Sequence, residues 1–101
     1  MSEERVAHEK EIRRIIRVLE QMRALAQEAS ESGALEDGQG YLIQQYKAIV
    51  ATLIKRGVAF PDYFPSVPPD SMGAVVFACA QLATYLDEYL KDELPQAHRV
   101  A

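Results

Sequence analysis

EIRRIIRVLEQMRALAQEAS, residues Glu11–Ser30, is the stretch that decides the fold. Within it Ile12, Ile15, Leu19, Met22, Ala26 and Ala29 recur at alternating spacings of three and four, the period of an apolar seam along an α-helix. Ile16, Val18 and Leu25 flank the seam and widen it to nearly half of the circumference. No helix breaker interrupts the chain back to Glu3, and Ser32-Gly33 supplies the stop, so the spacing predicts a first helix over 3–32. Such a helix is about 45 Å long, which is long for a small domain.

Outward from this seam the chain offers two more helices. Gly33–Gly40 reads as a polar turn carrying three glycines. A second helix is predicted over 41–56, with Leu42, Ile43, Tyr46, Ile49, Val50, Leu53 and Ile54 on its apolar side and Lys55-Arg56-Gly57 closing it. Val58–Pro69 follows, with Pro61, Pro65, Pro68 and Pro69 set among Phe60, Tyr63, Phe64 and Val67, a composition that blocks helix and stiffens the chain. Asp70 or Ser71 then caps a third helix over 71–94, stopped by Pro95, and 95–101 reads as a frayed tail. The expected architecture is all-α: one domain over 1–101, a three-helix antiparallel bundle with a long first helix and a proline/aromatic loop before the third.

The chain has 101 residues, 49% hydrophobic and 26% charged, with a formal net charge of -4. That size fits one domain with a single core and is too apolar for a disordered chain. One cysteine, Cys79, excludes an intrachain disulfide framework, and the acidic balance argues weakly against a dedicated nucleic-acid binder. The polar N-terminus and the short, mixed uncharged run Ser71–Leu86 give neither a secretory leader nor a membrane span, so a cytoplasmic protein with no membrane partner is expected. A Gly-rich phosphate loop, an HExxH helix, a GxSxG elbow and paired cysteines are all missing from the sequence. No catalytic residue, metal ligand or cofactor is assigned. Glu4, His8 and Glu11 share a helix face but are read as an ordinary solvated helix end, and Cys79 as a small buried apolar residue.

Three features carry what functional information there is. Met72–Ala80 has no charge on any side, with Phe77 roughly opposite Val75 and Cys79, so the start of helix 3 asks for burial all round. A short second helix cannot cover two longer seams. A homodimer is therefore expected, closed by Ile12, Ile15, Leu19 and Met22 of helix 1 and Val75, Val76, Cys79, Leu82 and Leu86 of helix 3. Lys10, Arg13, Arg14 and Arg17 fall on one third of the helical wheel, a candidate anion or charge patch unless it is plain solvated surface. Asp87, Glu88, Asp92 and Glu93 crowd the end of helix 3, where the helix dipole disfavours them. In an up-down-up bundle helices 1 and 3 run in the same direction, so these acids reach the basic patch only from a second chain. Phe60, Tyr63 and Phe64 form either a strap across the core or a partner-binding loop, and a small pocket beneath them, lined by Tyr46, Tyr63 and Phe77, is a third possibility.

These readings favour a small non-enzymatic protein–protein interaction module, an adaptor, assembly factor or regulatory subunit, acting as a helical homodimer with another protein as its partner. The alternative is a small helical nucleic-acid-binding subunit that sets the basic stripe of helix 1 on phosphates.

Overall fold

The computed structural model describes residues 2–32, 35–62, 64 and 69–92. They form three helices, α1 (Ser2–Ser32), α2 (Leu35–Lys55) and α3 (Met72–Asp92), and no strand among the described residues. The third-helix residues expected at 93–94 and the tail at 95–101 lie outside them.

The α1 seam works as its spacing predicts. Ile12, Leu19, Met22 and Ala26 are fully buried, and Ile15, Ile16, Val18 and Ala29 pack half-buried around them. α1 packs mostly against α3, whose Met72, Val75, Cys79, Leu82, Ala83, Leu86 and Leu90 make the other wall of the core. Ser71 caps α3, its Oγ accepting from the Ala74 amide at 3.1 Å while its carbonyl accepts from Val75 at 2.9 Å. The result is elongated, 53 × 24 × 18 Å with a radius of gyration of 14.9 Å, against about 13 Å for a compact chain of this length.

α2 begins earlier than the spacing predicts. Gly38, Gln39 and Gly40, read from sequence as part of a turn, lie inside the helix. Two glycines cost about 1 kcal/mol each in a helix interior. Burial of Leu42 and Tyr46 just beyond them, and a bond of 3.3 Å from the Gln39 side-chain amide to the Asp70 carbonyl, act against that cost. The other end matches expectation. Gly57, at φ 89°, turns the chain while its amide donates to Ile54 and that of Val58 donates back to Leu53, a Schellman closure with Val58 and Leu53 both buried.

The order of the ends corrects the up-down-up expectation. His8, near the start of α1, bonds Tyr89, near the end of α3, at 3.1 Å. Arg56, just after α2, pairs with Glu11 of α1 at 3.2 Å, and Gln39 near the start of α2 reaches Asp70 just before α3. α1 and α3 therefore do not run in the same direction, and Arg56, beside Glu11, lies far along the molecule from Asp70, beside Gln39. The acidic end of α3 lies beside the start of α1 of its own chain, so no second chain is needed to bring them together.

Candidate functional site

Burial separates the predicted dimer seam from any outer surface. Ile12, Leu19, Met22, Val75, Cys79, Leu82 and Leu86 are all at 2% exposure or below within the single chain, and Ile15 and Val76 pack against the same cluster. Two amphipathic helices laid face to face consume each other's seams. These residues form the core of one chain and leave no open seam for a second.

Phe60 and Phe64 of the proline/aromatic loop pack on α3. Phe60 and Phe64 stack at 5.0 Å between ring centroids and lie 5.5 and 5.9 Å from the Tyr85 ring. The Tyr85 hydroxyl donates to the Ala59 carbonyl. Both phenylalanines are half-buried, which leaves only part of each ring for another molecule. Tyr63 lies outside the described residues. Phe60 and Phe64 lie on the Tyr85 side of α3.

Phe77 is the most open of the large apolar side chains among the described residues, at 77% exposure. Gly73, Gln81 and Thr84, its neighbours on the helix surface, are exposed as well, so this side of α3 is uncharged. The pocket imagined between Tyr46 and Phe77 does not form from these two, because Tyr46 points into the core while Phe77 faces solvent. An apolar groove of about 430 Å³ lies elsewhere, between the second half of α1 and the start of α2, with Val18, Met22, Leu25, Ala29, Tyr41 and Leu42 in its walls. Sequence reasoning missed this groove, since it depends on α2 crossing α1 with Gly38 in the wall, where a larger residue would fill the space.

The basic patch is exposed and divided. Arg13 pairs with Glu9 one turn earlier at 2.8 Å, whereas Lys10, Arg14 and Arg17 stand in no ion pair among the described residues. Asp87 pairs locally with Lys91 at 3.1 Å. No group of three or more His, Cys, Asp or Glu side chains among the described residues is placed to hold a metal. His8 instead meets the Tyr89 ring edge-on at 6.0 Å. Burial pushes the Cys79 thiol up to about 11, and Arg23, a cation brought near by the fold, offsets this only in part. Burial likewise raises the Tyr46 hydroxyl, with Cys79 adding to the effect. Fully enclosed in the core cluster, the thiol serves as a packing group.

The described residues thus form an all-α structure of three helices, none of them long and apolar enough to cross a membrane. Comparison with family models, with curated proteins and with solved structures finds no match.

Proposed function

We propose that the chain is a non-enzymatic protein–protein interaction module, an adaptor, assembly factor or regulatory subunit, that acts in the cytoplasm as a homodimer of three-helix chains. The observation that carries this reading is the uncharged side of α3 around Phe77, open at 77% while the core beneath it is closed. An aromatic ring held on a rigid helix loses little freedom on docking, so it is an economical anchor for a second protein. The test is affinity capture with the wild type and Phe77→Glu side by side. Proteins held by the first and lost by the second support the reading, and identical retention overturns it.

The second reading sets Lys10, Arg14 and Arg17 on nucleic-acid phosphates. It is favoured by the exposure of these three side chains without ion-pair partners among the described residues. Against it, the same helix face continues into Glu28 and Glu31, which repel a phosphate backbone. Binding to DNA or RNA at low salt, lost steeply as salt rises, is the expected result. Its absence overturns this reading.

A further inference from the structure

The outer face of α1 carries a second stripe, opposite the buried seam. Lys10, Arg14, Arg17, Gln21, Ala24, Glu28 and Glu31 recur at alternating spacings of four and three, and every one is exposed. This is the spacing at which one helix meets another along its length. The first part of the stripe is basic, the middle neutral and small, and the last part acidic. None of its charges stands in an ion pair among the described residues.

A stripe that changes sign along its length is complementary to itself in one arrangement only, when a second copy lies antiparallel across it. We propose that two copies of this chain dimerise through this face of α1 about a two-fold axis near Gln21 and Ala24. Setting Gln21 opposite Ala24 of the second copy places Arg17 opposite its Glu28 and Arg14 opposite its Glu31, and the two-fold repeats both pairs. The charged stretch from Arg14 to Glu31 spans about 26 Å of helix. Two-fold interfaces use one patch twice, as this pattern requires.

The flank of the stripe supplies apolar area. Val18 and Leu25 follow Arg17 and Ala24 by one residue, so both stand on the same side of the stripe, where they form a wall of the groove. A two-fold turns this side of each copy towards the same side of the other. Leu25 and Tyr41, 53% and 72% exposed in the single chain, are then covered over the groove. The charges fix orientation and register, while the groove edge adds contact area.

The inference rests on the homodimer part of the proposed function and specifies its interface, which uses none of the buried seam residues. It is tested by exchanging charges between two variants. Arg14→Glu with Arg17→Glu makes the whole stripe acidic apart from Lys10, and Glu28→Lys with Glu31→Lys makes it basic. Light scattering on each variant across a range of concentrations should give a monomer, with self-association at least about tenfold weaker than wild type. An equimolar mixture should give a dimer, since each chain meets its opposite. The wild-type dimer, at twice 11.3 kDa, should weaken as salt rises. A wild type that is monomeric at every concentration overturns the homodimer reading and this interface with it. A wild-type dimer retained by both variants, or one indifferent to salt, overturns the interface alone. So does a mixture of folded, monomeric variants that fails to pair.

Discussion

α2 and α3 have the same length, 21 residues each, and both carry an apolar inner face, yet they are held very differently. α3 buries Met72, Val75, Cys79, Leu82, Ala83, Leu86 and Leu90, whereas α2 buries Leu42, Tyr46 and Leu53. α1 packs mostly against α3, and along α2 it leaves an open apolar groove. Apolar content therefore does not fix burial. What decides it is which helix lies along the long seam of α1, because a seam filled by one neighbour offers little to the next. α1 and α3 form the stable body of the molecule, and α2 rides on it.

The largest test of this contrast is a matched pair of truncations. Leu86 is fully enclosed between α1 and α3, so Leu86→Ala leaves a cavity and should cost about 3–5 kcal/mol by denaturant unfolding. Leu42 lies in a groove wall at the start of α2, where water or neighbouring side chains fill the lost volume. Leu42→Ala should cost about 2 kcal/mol, nearer the transfer term alone. Equal costs would break the comparison. Native-state hydrogen exchange should show the same order, with α2 amides opening at lower free energy than those of α1 and α3.

The next effect falls where the two helices do meet. Burial raises the pKa of both Tyr46 of α2 and Cys79 of α3, and Cys79 adds to the rise at Tyr46. The folded Cys79 thiol, at about 11, lies above its ordinary value of 9.0, so folding favours the neutral form. This contribution to stability is complete below pH 9.0 and is lost as pH rises from there through about 11. Unfolding free energy measured against pH should decline over that window. In Cys79→Ala the decline should begin higher, from the 10.0 that is the ordinary value of the Tyr46 hydroxyl, which burial also raises. An unchanged onset would mean that the thiol is not held neutral by the fold.

Much of this architecture is legible in the sequence. The seam of α1, the Gly57 closure of α2 and the Ser71 cap of α3 are each local, set by residues within a turn or two of one another. Two things were not legible, for one reason. The early start of α2 at Leu35 overrides the propensity of Gly38 and Gly40, and Gln39 is tied to Asp70, a residue 31 positions away. The direction of α3 is likewise set by long-range contacts such as His8 with Tyr89 and by the return of the loop onto Tyr85. The candidate site suffered most. Spacing marks Ile12, Leu19, Val75 and Leu82 as a seam but does not tell whether the facing seam belongs to the same chain, and here it does.

The smallest expected effect sharpens the comparison from the other side, because α3 also has a face that does nothing for the fold. Phe77 is 77% exposed, so its ring gains little from folding, and serine is about as good a helix former as phenylalanine. Phe77→Ser should therefore change stability by no more than about 0.5 kcal/mol, an order of magnitude below Leu86→Ala on the same helix. The measurement is thermal or denaturant unfolding at two well-separated protein concentrations. A larger loss at both would place the ring in contact with its own chain, contrary to its exposure. A loss seen only at high concentration would mean that a second copy covers Phe77, and would move the dimer from α1 to α3. A null result at both leaves Phe77 free for a different protein, with α1 free to carry the dimer.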